Sequence, residues 1–434
     1  MSLPAAKIRP LLLRALRLPL LFSFLFCESA WLVSLAPTDV TRYHCYALVF
    51  WFGSHAVKWL PAGQCAFLQI TSLQPAFHIL PLEYPPLVLL PFSLPLLVPL
   101  PYYALAFALS MVLVAGLIFW LLVRFQSQQA ATRFLLLLAL GAGALFQVRY
   151  DLLPAVCLLI CLLAAERQRW SLAYTALAFG VALKLSPIVA LPALFIAEQQ
   201  YHKQDKAAQA QRSLRWQWRH AALFACIVLG VTGSFALLNA RGAIVSPVSY
   251  FFQRPPQIES LQSSFLWLAH IAGVPAQIVS NYGSLNMLSP LANQVGWLGT
   301  CLCFLGCLLV LWRQWQQRFS LGQAMFALLA VLIITGKVFS PQYLLWLLPL
   351  VASVGASRLW LFGWGVMSLL TMGIYAGYYA QLGNPETAAQ TIQTLPGFFF
   401  VVGIRNGLFL LATLAYLFDW FRVRKNPGAM LPAT

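Results

Sequence analysis

Long apolar runs separated by short polar punctuation set the layout of this chain. They fall at about 18–36, 102–123, 134–148, 151–165, 171–184, 187–197, 221–238, 291–312, 321–336, 341–354, 359–378 and 396–418. Runs of roughly 20 apolar residues cross a bilayer as helices. The pattern therefore predicts an all-α polytopic membrane protein with about 12 transmembrane helices, in a range of about 10–13. The whole chain, 1–434, reads as a single integral membrane domain. Its parts are a first span (18–36), a first external loop with membrane-lying helices (37–101) and a short-helix module (102–238), within which 198–220, with Lys203, Lys206, Arg212, Arg215 and Arg219, reads as a hydrophilic loop. A second large external loop (239–290), a set of C-terminal helices (291–418) and a cytoplasmic tail (419–434) complete it.

Several runs are short. At ~1.5 Å per residue they reach only ~20 Å, less than a ~30 Å hydrocarbon core. Their polar hinges, QVRYD, KLSP and KVFSPQY, are expected below the membrane surface, in a water-filled cavity. Within the first loop, Pro81, Pro85, Pro86, Pro91, Pro95, Pro99 and Pro101 interrupt an otherwise apolar stretch. Each removes a backbone donor, so 80–101 is expected to lie along the membrane rather than cross it.

Charge orients this layout. Nineteen of the 27 Lys and Arg fall on one side, including the N-terminal Lys7, Arg9, Arg14 and Arg17 and the tail FRVRK. Arg42, Lys58, Arg149, Lys184, Arg241, Arg254, Lys337 and Arg405 fall on the other. Cytoplasmic loops collect Lys and Arg, so both termini are expected in the cytoplasm and the two large loops outside. The basic N-terminus lacks a small-residue cleavage site and reads as a retained anchor.

Composition agrees. Hydrophobic residues make up 61% and charged residues 9% of the chain, against about 25% charged in a soluble domain. The formal charge of +17 is spread between apolar blocks without a basic arm or an RNA-binding motif, which excludes nucleic acid as a partner. Most of the nine cysteines sit inside apolar runs as small hydrophobes. Cys45 and Cys65 share the first loop, which leaves a disulfide between them open.

The chemistry gathers outside. Asp39 opens the first loop, and Arg149, Asp151, Lys184, Glu259, Lys337 and Arg405 fall by topology on the same side. Ionisable groups at membrane depth are costly and mark function or pairing. A set of cations suits a phosphate, and a carboxylate suits the deprotonation of an attacking hydroxyl. Each residue also has a plainer role. Asp39 is a helix-capping type, Arg149 and Asp151 could pair to steady a hinge, and Lys184 and Lys337 could reach to the interface. Glu259 would be solvated in a polar loop. His44, His55 and His78 fit the membrane interface. No DxD pair, P-loop, HExxH or GxSxG occurs, and no ligand cluster for a divalent metal is evident.

Asp39 and Tyr43 after the first span, followed by Tyr84-Pro85-Pro86-Leu87, resemble the first external loop of GT-C membrane glycosyltransferases. RYDLLP (149–154), Lys184-x-x-Pro187, RPPQIES (254–260) and SPQYLLWLLP (340–349) are similar to motifs of glycosyltransferase family 87. That resemblance implies a GT-C-type fold and a hexosyltransferase of the polyprenyl-phosphate-mannose-dependent α-mannosyltransferase kind, placed in a bacterial plasma membrane. It implies Asp39 as the catalytic base of an inverting, metal-independent transfer to a glycan or glycolipid acceptor, with no cofactor. Tyr84, Arg149, Lys184, Arg254 and Gln342 fall in motifs lining the donor cavity. Asp151, Glu259, Lys337 and Arg405 join that donor-binding set by topology. Phe146-Gln147-Val148-Arg149 stands where many members carry Gly-Gln-x-Asn, which leaves the donor sugar open. A transporter or flippase of lipid-linked glycans is the rival reading. It would show two matching halves with broken helices in corresponding places, and no such symmetry is seen.

Overall fold

The computed structural model describes residues 39–70, 72–143, 145–208, 216–354, 358–382 and 387–418. The first span, the basic N-terminal segment, Arg212, Arg215, Asn384, Glu386 and the tail from 419 lie outside the described residues, as does the side chain of Lys206. Each apolar run after the first forms a helix.

The first loop opens with α1 (Asp39–Phe52), and most of its residues are buried. A disulfide between Cys45 and Cys65 ties α1 to the turns that follow. The prolines interrupt the helix. Pro86–Leu97 is a short apolar helix broken into 3₁₀ turns. It packs Val88, Leu89 and Phe92 under α1, with the Phe92 ring stacked on Tyr43 at 4.1 Å.

The chain then runs through α2 (Tyr103–Phe125), α3 (Gln128–Ala142), α4 (Leu152–Glu166), α5 (Trp170–Leu183) and α6 (Leu191–Ala208). Ser127 caps α3 by accepting from the Ala130 amide at 3.0 Å. A hydrophilic loop was expected over 198–220, but α6 continues through 208. Its Glu, Gln, Lys and Ala residues favour helix, and polarity alone does not end one.

The expected loop 239–290 is also largely structured. After α7 (Arg219–Ala240), Asn239 leaves helical geometry at φ −156°, and the chain kinks. Asn239 holds the bend by donating to the His78 carbonyl at 2.8 Å and accepting from the Gly242 amide at 3.0 Å. Helix resumes as α8 (Ser246–Gln253), followed by α9 (Leu261–Ile271) and a hairpin of β1 (Gln277–Asn281) and β2 (Ser284–Leu288). In the antiparallel register Asn281 faces Ser284, so the turn is Tyr282-Gly283, with φ of 49° and 65°. Two consecutive positive φ values are the mark of a tight hairpin turn that glycine makes easy. The hairpin is a small two-stranded addition to an otherwise all-α fold.

The last elements are α10 (Ala292–Trp315), α11 (Leu321–Thr335), α12 (Tyr343–Val354), α13 (Arg358–Met372), α14 (Ala388–Thr394) and α15 (Phe398–Leu417). Among the described residues, five helices are long and apolar enough to cross a membrane: Leu100–Phe125, Arg219–Gln253, Ala292–Trp315, Arg358–Gln381 and Phe398–Leu417. The helices α4, α5, α11 and α12 have 15, 14, 15 and 12 residues, or about 18–22 Å. These short helices form the centre, with Leu159, Leu177, Leu329 and Leu348 buried. The long α7 and α10 lie outside them, exposing Leu229, Leu237, Trp297 and Phe304. Apolar faces of that size are tolerated against lipid and not against water. This is a membrane protein whose polar hinges sit at the ends of short, buried helices.

Candidate active site

The short helices α4 and α12 begin, and α5 and α11 end, at one end of the bundle. There the hinges meet the first loop. Asp39 is in the first turn of α1, and its carboxylate is in direct ionic contact with the Arg149 guanidinium, which comes from the turn before α4. One helical turn on, Arg42 projects from the same face. Its Nη1 lies 3.9 Å from Asp39, and its Nη2 donates to Glu83 Oε2 at 2.7 Å. Two loop carboxylates are thus held by two arginines. Burial pushes the Glu83 carboxyl above its ordinary value, while Arg42 pulls against it. Buried pairs of this kind persist only when both charges are matched.

Beside this cluster, Lys184 at the end of α5 reaches across to Asp151 at the start of α4, with Nζ to Oδ1 at 2.5 Å. The same oxygen accepts from Trp346 Nε1 at 2.7 Å. The Lys184 ammonium also lies 4.6 Å from the Trp346 ring, 5.2 Å from Tyr150 and 5.3 Å from Tyr343, a cage that stabilises a cation. The pairing of Arg149 with Asp151 weighed from sequence does not form. Arg149 goes to Asp39, and Asp151 goes to Lys184.

Aromatic rings wall the site. Tyr84 packs edge-on to Tyr43 at 6.2 Å and to Tyr150 at 5.2 Å. The buried hydroxyls of Tyr43 and Tyr150 have no hydrogen-bond partner among the described residues. Orphaned buried polar groups are rare in folded proteins, and a site that binds a polar ligand is one reason for them. His44 stacks flat on Tyr103 at 3.9 Å, and burial pushes its pKa down to about 4. It is neutral at neutral pH and, turned into that stack, is not in the cluster.

The second large loop supplies the remaining residues. Arg254, after α8, donates through Nη2 to Ser284 Oγ at 2.5 Å and through Nε to Asn286 Oδ1 at 3.4 Å. It is close enough to act on both Glu83 and Glu259. The tip of the hairpin presses on Arg42: a Cβ on Gly283 would lie 2.4 Å from Arg42 Nη1. Glu259 is not solvated as its polar loop suggested. It is 1% exposed, accepts from Tyr379 Oη at 2.8 Å and faces Arg405 Nη1 at 3.5 Å. Arg405, fully buried on α15, also donates to the Glu259 carbonyl at 2.5 Å and lies 3.9 Å over the Phe339 ring. Its charge is spent on fixing this loop.

Gln342 directly precedes α12, and its Oε1 accepts from Ser340 Oγ at 2.5 Å. Lys337 stands apart. It lines a separate cavity with Arg254 and the start of α10, and Asp39 is absent from that lining. The structure therefore brings together Asp39, Tyr84, Arg149, Asp151, Lys184 and Arg254, adds Glu259 and Arg405 as a buried support, and sets Lys337 to one side. Sequence reasoning did not assign Arg42, Glu83, Tyr150, Tyr343 or Trp346 to the site. The spacing of Asp39 and Arg42 was the available signal, because positions three apart share a helix face. Among the described residues, no three His, Cys, Asp or Glu side chains gather as a metal site.

An acid facing a set of cations, walled by tyrosines, can deprotonate a hydroxyl and hold a phosphate. No curated protein and no solved structure matches the chain. The model of glycosyltransferase family 87 matches residues 82–341. That span includes Glu83, Tyr84, Arg149, Asp151, Lys184, Arg254, Glu259 and Lys337, and leaves out Asp39, Gln342 and Arg405. The match covers more than half of the chain, which belongs to glycosyltransferase family 87.

Proposed function

We propose that this glycosyltransferase moves a hexose, mannose by family resemblance, from a polyprenyl-phosphate donor to a glycan or glycolipid acceptor. The observation that carries the reading is the ion pair of Asp39 with Arg149 beside the caged Lys184.

In the reaction, Asp39 takes the proton from an acceptor hydroxyl. The oxygen forms a bond to the anomeric carbon as the bond from that carbon to the phosphate oxygen breaks. The lipid phosphate leaves with the electron pair, and attack from the opposite face inverts the anomer. Arg149 and Lys184 stabilise the charge that grows on the leaving phosphate. Arg149 exchanges the Asp39 carboxylate for that phosphate, which frees the base. Lys184 keeps Asp151 as its counter-ion and adds positive field beside Arg149. Tyr84, Tyr43 and Tyr150 offer ring faces and hydroxyls to the sugar, and Gln342 and Arg254 close the wall. Glu259 and Arg405 act as positioning residues by holding the Arg254–Ser260 loop against α15. No step requires a metal or a cofactor.

The fold is of the GT-C type. Cytoplasmic loops collect Lys and Arg, which supports a reading with the basic ends of the helices in the cytoplasm and the site at the outer face of the membrane. The test feeds labelled polyprenyl-phosphate mannose, and in parallel polyprenyl-phosphate glucose, to membranes containing the protein. Label from mannose is expected in a product absent from control membranes. Transfer from neither donor overturns the reading.

A further inference from the structure

A cavity of about 560 Å³ opens between the end of α8, the hairpin and the first turn of α10. That is room for a headgroup and part of a chain. Lys337 and Arg254 supply its charge, and Gln253, Gln277, Ser289 and Asn293 supply neutral polar groups. The Lys337 ammonium donates to the Phe252 carbonyl at 3.3 Å, and among the described residues no carboxylate pairs with it. Its stem crosses α10 where Gly296 leaves space: a Cβ there would sit 3.4 Å from Lys337 Cε. The backbone is fixed as well, since the Lys337 carbonyl accepts from the Gln257 amide at 2.8 Å. A pinned cation without a counter-ion, at the edge of an apolar bundle, favours an anionic guest.

The surroundings narrow the guest further. Phe251 and Phe252, at the end of α8, are 61% and 69% exposed, and Trp297 is 72% exposed. Trp297 stands four residues beyond Asn293, on the same face of α10. A polar, cationic pocket with an apolar rim matches an amphiphile, with its head inside and its chain along the aromatics. Aromatic rings at such a boundary are at home against lipid. The Asp39 cluster has its own cations, Arg149 and Lys184, for a phosphate that must lie next to the attacked sugar. Arg254 joins the two places, since it lines the cavity and also acts on Glu83 and Glu259.

We propose that this cavity binds the phosphoryl-bearing head of a membrane amphiphile other than the sugar donor, with Lys337 as its principal contact. The assignment of the donor elsewhere rests on the transferase reading above. The cavity's affinity for an anionic head does not.

Purified protein in neutral detergent is titrated with short-chain phosphatidylglycerol and, separately, with short-chain polyprenyl phosphate, and tryptophan fluorescence reports binding. Lys337→Gln is expected to weaken phosphatidylglycerol binding by about tenfold or more and to leave polyprenyl phosphate unchanged. Lys337→Arg keeps the charge and is expected to restore binding, which separates charge from folding. If Lys337→Gln weakens polyprenyl phosphate instead, or changes neither ligand, the proposal is overturned. Incubation with labelled donor then distinguishes two sources that both fit. A phosphatidylglycerol that gains label is an acceptor, and one that stays bound without label is a resident lipid. Binding requires no turnover, so its failure is separable from a failure of the transferase reading.

Discussion

The two ends of the helix bundle use the same residue types in opposite ways. At the basic end, Arg124, Arg167, Arg169, Arg219, Arg318 and Arg358 are exposed. Arg167 there donates to backbone carbonyls, those of Leu163 and Phe125, each at 2.8 Å. The acid buried there, Glu198, is closed off by Tyr174 Oη at 2.8 Å and His220 Nδ1 at 2.6 Å. At the site end, Arg42, Arg149 and Lys184 are only 21%, 16% and 14% exposed at the side chain. They pair with acids brought from separate elements. Exposed charges cost little to place and contribute little. Buried ones cost several kcal/mol each to desolvate and persist where geometry or function holds them. Burial, rather than charge, separates the basic end from the end that holds the candidate site.

Removing one partner of a buried pair sharpens that contrast most. Glu259→Ala leaves Arg405 buried without its carboxylate, and a loss of about 3–5 kcal/mol is expected, read as a fall in thermal unfolding temperature in detergent. A loss under about 1 kcal/mol, in the range of exposed pairs, would remove the distinction between the two ends. The smallest effect belongs to the basic end. Arg358→Ala is expected to change stability by less than about 0.5 kcal/mol and to leave transfer at the wild-type rate. A large loss of transfer in that variant would show that the basic end takes part in the reaction.

Much of this fold is written in the sequence as hydrophobic runs. The short spans α4, α5, α11 and α12 fall where the apolar pattern puts them, and their hinges bring Arg149, Asp151, Lys184 and Tyr343 together. The prolines of 80–101 break their helix as ring geometry requires. What escaped was pairing across the chain. Whether Arg149 would meet Asp39 or Asp151 depends on how α1 docks on the α3–α4 turn, and no local pattern encodes that. The Cys45–Cys65 bridge was open for the same reason. Glu259 reads as a solvated acid in RPPQIES because its partners, Tyr379 and Arg405, are 120 and 146 residues away. The hairpin at 277–288 was missed although QIVSN-YG-SLNML places Tyr-Gly between two five-residue runs, because five-residue strands barely stand out beside long helices. The extension of α6 to Ala208 is hidden in the sequence because Glu, Gln and Lys are polar yet favour helix, so polarity alone does not mark a loop.

The account turns on Asp39 as the base. Purified wild-type protein and Asp39→Asn, compared with labelled polyprenyl-phosphate mannose and a membrane acceptor extract, test it most directly. The substitution keeps the shape of the side chain next to Arg149 and removes its basicity. Transfer is expected to fall about 10²–10⁴-fold at unchanged expression and thermal stability. An Asp39→Asn protein that transfers mannose at the wild-type rate would contradict the account.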